Sequence, residues 1–234
     1  MTDLGRDAAR IGALADPLRR RLYRFVCSQS DPVSRDQAAE AVAVPRHQAK
    51  FHLDRLEADG LLEASYVRLT GRSGPGAGRP AKLYRRTERD IAVSLPHREY
   101  RLAGELMASA IAESARTGEA VLAVLQRTAH DYGRTLGSAA AEQQPPGDAD
   151  AALELAVAVL EEHGYEPRYG ASAEVYLANC PFEALARTQT ELACNMNHAL
   201  VAGVAGALTP FCPRARLCPA HDRCCVVLDA GEPG

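Results

Sequence analysis

The sequence predicts an α+β protein made of two halves that differ in pattern. The first half repeats apolar residues at helical spacing and ends in a glycine-rich hairpin pattern, whereas the second half mixes helical stretches with short strand-like ones. Apolar residues make up 47% of the 234 residues, which is enough for two modest cores. We expect an N-terminal domain at 1–95, a helical segment at 96–142 and a small C-terminal α+β domain at 149–234.

The charge is divided in the same way. Residues 1–95 carry 17 Arg and Lys against 12 Asp and Glu, a net charge of +5, and residues 96–234 carry 10 against 18, a net charge of −8. A basic half joined to an acidic half indicates that the first half binds nucleic acid. The sequence shows no signal peptide and no run of roughly 18 apolar residues, so we expect a cytoplasmic protein with no membrane partner.

Start and stop signals define the elements of the N-terminal half. Asp16 and Ser34 are expected N-caps, and Gly60 is an expected C-terminal cap. Two strand patterns flank a loop at 71–80 that contains four glycines and two prolines. The predicted helices are 3–15, 17–26, 34–41 and 45–56, and the predicted strands are 62–70 and 81–86.

This order of helix, turn, helix and hairpin is the layout of a winged helix-turn-helix. In that layout the second helix enters the DNA major groove and the basic hairpin loop, or wing, contacts the flanking backbone. Arg and Gln side chains can make paired hydrogen bonds to guanine and adenine, and cations of the wing suit phosphate. The residues that we expect to contact DNA are Arg46, His47, Gln48, Lys50, Arg55, Arg72, Arg79 and Lys82.

The C-terminal half begins with two helices that carry long apolar stripes. Such stripes after a DNA-binding domain are typical of a dimer seam, and they equally fit the core face of an ordinary domain. A linker is expected at 143–150, and two short strands are expected around Gly170. The predicted helices are 97–111, 119–136, 151–163, 181–186 and 191–208, and the predicted last strand is 225–228.

Six of the seven cysteines lie in the last 55 residues. Cysteines in a reducing cytoplasm indicate metal or redox chemistry rather than disulfides. Cys180 precedes Pro181 and is the expected N-cap of a helix, where the helix dipole favours a thiolate. Cys194 and His198 are four residues apart on one helical face.

Cys224 and Cys225 begin the predicted last strand, so their side chains should point to opposite sides and only one can easily join a shared site. The wide spacing of the cysteines argues against a zinc finger and fits an iron–sulfur centre, which is held mainly by thiolates. Metal ligands are therefore expected at Cys180, Cys194 and Cys224, with His198 as the fourth. The remaining alternatives for the fourth ligand are Cys212, Cys218 and His221.

The N-terminal half resembles ArsR-type bacterial repressors, and more closely their iron–sulfur-sensing Suf-operon repressor (SufR) branch. The resemblance implies a homodimer that binds a palindromic operator. It covers about residues 10–90 and is carried by Leu14-Ala15-Asp16-Pro17-Leu18-Arg19-Arg20, His52-Leu53, Leu56-Glu57-Ala58-Asp59-Gly60-Leu61, Gly78-Arg79-Pro80 and Tyr84.

The C-terminal half resembles the same branch at Asn179-Cys180-Pro181-Phe182, at the helical Cys194 and at Cys224-Cys225-Val226. The resemblance implies one [4Fe–4S] cluster per subunit, held by three cysteines, with Cys224 as a better third ligand than Cys225. We therefore expect a repressor that responds to redox stress or iron–sulfur status and controls iron–sulfur assembly genes.

Two other functions fit the sequence. The C-terminal domain of a DNA-binding regulator can instead bind a small organic effector, or it can use zinc or redox-active thiols without a cluster. An enzyme is not expected, because no catalytic cysteine–histidine signature surrounds Cys180.

Overall fold

The computed structural model describes residues 4–67, 80–170, 174–219 and 223–230. The chain forms two compact units, one that ends at Val93 and one that begins at Ser94. None of the described helices is both long and apolar enough to span a membrane.

The first unit packs helices on a small antiparallel sheet with the strand order β1-β3-β2. Its core contains apolar residues of every helix and of the sheet, including the buried Leu22, Leu53 and Tyr84. Its elements are α1 (Leu4–Ala13), α2 (Pro17–Cys27), β1 (Val33–Ser34), α3 (Arg35–Val42), α4 (Arg46–Ala58), β2 (Leu62–Val67) and β3 (Ala81–Arg86).

The predicted caps of this unit are confirmed. The Asp16 carboxylate accepts a hydrogen bond from the Arg19 amide at 2.7 Å, and Ser34 and Gln37 form a reciprocal capping box. Gly60 follows α4 with φ +72°, a conformation that favours glycine. These caps set where α4 begins and ends, and α4 is the helix that we expect to read DNA.

The structure describes the base of the wing, where its two strands pair. Strand β2 pairs with β3 over six residue pairs, from Leu62 opposite Arg86 to Val67 opposite Ala81. The predicted end of the first strand, 68–70, and nearly all of the predicted loop, 71–79, lie outside the described residues.

The second unit packs helices on an antiparallel sheet with the strand order β4-β5-β7-β6. Strand β6 lies between the predicted helix 191–208 and the predicted last strand 225–228, where we predicted no strand. Its elements are α5 (Tyr100–Thr117), α6 (Val121–Gln143), α7 (Ala149–Glu162), β4 (Pro167–Tyr169), β5 (Val175–Leu177), α8 (Glu183–Thr188), α9 (Thr190–Gly206), β6 (Arg214–Leu217) and β7 (Val226–Asp229).

Helices α5 and α6 extend past their predicted ends and belong to this second unit. Leu106 of α5 and Val124 of α6 are buried in one core with Leu160 of α7 and Leu200 of α9. At least part of each apolar stripe is thus a core face within the chain.

Helices α6 and α9 cross with their backbones in direct contact. A Cβ atom on Gly133 would lie 2.0 Å from the Leu200 carbonyl oxygen, and one on Gly203 would lie 2.1 Å from the His130 carbonyl oxygen. Gly137 makes the same kind of approach to Val204, at 2.4 Å. Only glycine allows this crossing, because any larger residue would push the two helices apart.

Gly203→Ala should therefore lower the free energy of unfolding by about 1–3 kcal/mol, the usual cost of overpacking a core. Gly206→Ala on the same helix is the matched control, because nothing lies within 4 Å of the added Cβ. The control should leave stability unchanged or raise it by about 0.4–1 kcal/mol. Urea unfolding of both variants measures the difference, and equal effects would contradict the close crossing.

Candidate functional site

Helix α4 presents a buried and an exposed face. Ala49, Leu53 and Leu56 point into the core, as predicted. The opposite face exposes the side chains that we expected to contact DNA: Arg46, His47, Gln48, Lys50 and Arg55. The exposed face is thus polar and basic, as a major-groove helix requires.

The cations of this face are held by acidic neighbours. Arg46 pairs with Asp36 of α3, Lys50 pairs with Asp54 at 2.9 Å, and Arg55 pairs with Asp59 at 2.9 Å. Exposed pairs of this kind contribute only about 0–1 kcal/mol each. Exchange of such a carboxylate for a DNA phosphate therefore costs little.

Lys82 has a different environment from the one expected. Its side chain is only 18% exposed, and its ammonium contacts Asp54 at 2.8 Å and also pairs with Glu57. The ammonium also lies over the Tyr84 ring, 5.1 Å from its centre. In the structure, Lys82 ties wing strand β3 to α4, so a DNA contact would require it to leave two carboxylates. Arg72 and Arg79 lie outside the described residues.

Asp54 is the centre of this junction, because the Tyr84 hydroxyl also donates to it, at 2.7 Å. Burial alone would raise the pKa of Asp54. Hydrogen bonds from Lys82, Tyr84 and Lys50 outweigh burial and hold that pKa far below its usual range. The same pairing raises the pKa of Lys82. Asp54 therefore stabilises the folded unit as a carboxylate.

The sequence analysis missed Phe51, which lies in the middle of the exposed face. Its side chain is 65% exposed. An aromatic residue within a helical apolar pattern is usually assigned to the core, and only the fold shows that Phe51 is outside it.

The second unit contains a cavity of about 620 Å³ that is lined by four cysteines. Cys180 comes from the turn before α8, Cys194 from α9, and Cys224 and Cys225 from the segment before β7. The structure thus brings together the three cysteines predicted as ligands, and it adds Cys225.

The position of Cys225 differs from our expectation. Strand β7 begins only at Val226, so the alternation of a strand does not apply to Cys224 and Cys225, and both line the cavity. Cys180 also differs in detail. Helix α8 begins at Glu183 rather than at Pro181, so Cys180 lies in the turn that precedes this helix.

The four thiols are close enough to shift one another's pKa. Interaction with Cys224 lowers the pKa of Cys180 and raises the pKa of Cys224. Interaction with Cys224 and Cys194 lowers the pKa of Cys225 to about 6, while burial and the interaction with Cys225 raise the pKa of Cys194. Cys180 and Cys225 are thus the two thiols whose ionisation is favoured, and the thiolate is the form that binds metals.

Of the residues that we expected as a fourth metal ligand, those that the structure describes do not line this cavity. His198 faces a different depression, and its Nε2 lies 3.1 Å from the Ala215 carbonyl oxygen. His198 is four residues after Cys194, so it lies on the same face of the helix but about 6 Å further along its axis. Cys212 contacts the Gly206 carbonyl, and Cys218 accepts from Arg223. None of these three lines the cavity, and His221 lies outside the described residues.

The donor chemistry of the cavity fits an iron–sulfur centre, because its lining offers four cysteine sulfurs from three separate segments. Within the described ranges, however, no group of three or more His, Cys, Asp or Glu side chains is arranged to hold a single metal ion. The cysteine side chains would therefore have to rearrange to hold a metal group.

A buried polar chain supports Cys224 from the core side. The Asn197 amide donates to the Cys224 sulfur at 3.0 Å and accepts from the Tyr165 hydroxyl at 2.5 Å. Tyr165 and Asn197 are both almost completely buried. Together with Cys224, the Asn197 amide also lowers the pKa of Cys225. Asn197 lies one turn after Cys194 on α9, so a single helix positions thiols on both sides of the cavity.

A second chain holds the turn of Cys180. Arg98 donates to the Asn179 side chain at 2.6 Å and to the Cys180 carbonyl at 2.8 Å. Asn179 in turn donates to the carbonyls of His97 and Gly164. The turn of Cys180 is therefore held by the Arg98 side chain and by backbone carbonyls that are distant in sequence.

Asp54→Asn should lower the free energy of unfolding by about 1–3 kcal/mol at pH 7, the range for hydrogen bonds to charged groups. Because the folded pKa of Asp54 is depressed, its contribution is present above the unfolded pKa of about 3.9 and is lost as pH falls through the folded pKa. The gap between wild type and variant in urea unfolding should thus shrink on acidification. Glu63→Gln, which breaks an exposed pair with Arg85 in the same unit, is the control and should cost less than about 1 kcal/mol.

Asn197→Leu should lower the free energy of unfolding by about 1–3 kcal/mol, because it leaves the buried Tyr165 hydroxyl without a partner. Tyr165→Phe removes that hydroxyl, so the double variant should cost less than the two single variants added together. Urea unfolding under reducing conditions measures all three. Strict additivity would show that the two side chains are not coupled.

Comparison with known families gives one match: residues 14–64 match the family described as a helix-turn-helix domain. The match spans α2 to β2, including α4. Neither curated proteins nor solved structures give a match. The family match supports a winged-helix regulator that binds double-stranded DNA, a class whose members are usually not enzymes.

Proposed function

We propose that this chain is an iron–sulfur-dependent, dimeric transcriptional repressor. The observation that carries the proposal is the single cavity at which Cys180, Cys194, Cys224 and Cys225 converge from three separate segments. A helix-turn-helix unit on the same chain supplies the DNA-binding half of the function.

In this proposal Cys180, Cys194 and Cys224 hold the cluster as thiolates. When bound, an iron–sulfur cluster supplies the sensing chemistry, because oxidants and iron supply determine whether it stays intact. The residues of this chain provide the rest. Asn197 orients Cys224, Arg98 and Asn179 orient the turn of Cys180, and Cys225 offers a further thiolate at the same cavity.

Dimer formation has support from exposed apolar residues. Ile111 near the end of α5 is 60% exposed and Leu122 at the start of α6 is 48% exposed, and both belong to the helical segment at 96–142, whose apolar stripes fit a dimer seam as well as a core face. A dimer would place two α4 helices on the two half-sites of a palindromic operator. The cluster can control DNA binding only if the DNA-bound arrangement and the free one interact with it differently.

The cavity supports a second candidate function. Its volume of about 620 Å³ lies in the range of small-molecule sites, roughly 300–1,000 Å³. The convergence of four cysteines at one cavity also supports a metal-free redox response, in which two thiols lose two electrons and two protons to an oxidant and form a disulfide. Both candidates retain the DNA-binding half.

Anaerobic purification followed by iron and sulfide analysis tests the proposal. Wild-type protein should contain both elements and absorb visible light, and Cys180→Ser, Cys194→Ser and Cys224→Ser should each abolish them. Cys27→Ser is the matched control, because Cys27 belongs to the first unit and should leave the cluster intact.

Background iron and sulfide in the anaerobic wild-type protein would contradict the cluster. Stoichiometric zinc would then favour a zinc site, and thermal stabilisation by a metabolite would favour an organic effector. A disulfide that forms on mild oxidation, mapped by mass spectrometry to these four cysteines, would favour the redox thiols.

A further inference from the structure

Phe51 is an apolar side chain that the first unit leaves in solvent. The other large apolar side chains of α4, Leu53 and Leu56, are completely buried, whereas Phe51 is 65% exposed. The Phe51 ring packs edge-on against the ring of the neighbouring His52, and the two ring centres are 5.2 Å apart. Exposure of so large an apolar surface to water is unfavourable, and none of the described residues of the unit covers most of it.

The surroundings of Phe51 indicate what covers it. His47, Gln48 and Arg55 lie four or three residues away, so on a helix they are its neighbours on the same face. All three are exposed. Arg46 and Lys50 are also exposed on α4, each in a pair with a carboxylate. Phe51 is therefore an aromatic side chain surrounded by cations and hydrogen-bonding groups. A ligand that matches this surface is a polyanion that also carries apolar groups.

Duplex DNA meets this requirement in the major groove. There the thymine 5-methyl group is the one apolar feature of the base-pair edges, and phenylalanine is among the side chains that contact it. The polar residues around Phe51 can bond to neighbouring base edges and phosphates at the same time. The two kinds of contact are thus available on one helix face.

We propose that Phe51 is a specificity-determining residue that packs on the 5-methyl group of a thymine in the operator. The proposal rests on the DNA-binding half of the proposed function and is independent of the cluster. It explains why the exposed face carries an aromatic ring at its centre, whereas contacts from the surrounding cations to phosphates are the same for any sequence.

Selection of binding sites from random duplexes tests the proposal with the full chain. Wild type should select thymine at a position that Phe51→Ala selects much less strongly. Replacement of that thymine by deoxyuridine removes only the methyl group, and it should weaken wild-type binding about four-fold, the ratio expected for burial of one methyl group. The same replacement should leave the affinity of Phe51→Ala unchanged.

The other thymines of the selected site are internal controls, since deoxyuridine there should affect both proteins equally. Melting curves check that Phe51→Ala folds, and Phe51→Leu, which keeps an apolar side chain, should retain part of the preference. Equal deoxyuridine effects in both proteins at every position would overturn the proposal.

Light scattering distinguishes a different occupant. If Phe51→Ala changed the oligomeric state and left base preference intact, Phe51 would contact a second copy of the chain and the proposal would be wrong. Failure of the wild-type chain to select any duplex would overturn the DNA-binding function itself. Selection that does not depend on Phe51 would overturn this inference alone.

Discussion

The architecture of the second unit depends on the direct contact between the backbones of α6 and α9. Three glycines, Gly133, Gly137 and Gly203, leave no side chain between the two helices at their crossing. Carbonyl oxygens of one helix therefore lie where the other helix would carry Cβ atoms. Such a crossing has little freedom to slide or rotate, since any displacement brings backbone atoms into collision.

The thiol cavity depends on this crossing because α9 supplies much of its framework. Cys194 lines the cavity from α9, and Asn197 of the same helix holds Cys224. Arg98 and Asn179 fix the turn of Cys180 from outside the helix. The cysteines are thus placed by buried hydrogen bonds rather than by a short ligand loop. A site built in this way exists only when the whole unit is folded.

In the first unit, a charged side chain joins two elements, whereas in the second unit glycines allow two helices to pack closely. Asp54 accepts from Lys82 and Tyr84, and these contacts join the α4 helix to the wing strand β3. A carboxylate at this junction holds the exposed face of α4 in position beside the wing strand. The other cations of that face are in exposed pairs, which are weak and exchangeable. The junction is therefore rigid while the contact surface stays adaptable.

Most elements of the first unit could be predicted from the sequence, because caps, proline and glycine act over a few residues. Asp16 and Ser34 cap the first turns of α2 and α3, and Gly60 follows the end of α4. The two-residue strand β1 was not predicted, because it is defined by its pairing with the distant β3. The sequence also did not reveal that Lys82 pairs with Asp54 and Glu57, that Phe51 is exposed, or that Cys225 lines the cavity while His198 does not. These outcomes depend on contacts between residues far apart in the chain, and local patterns of spacing and charge carry no information on such distances.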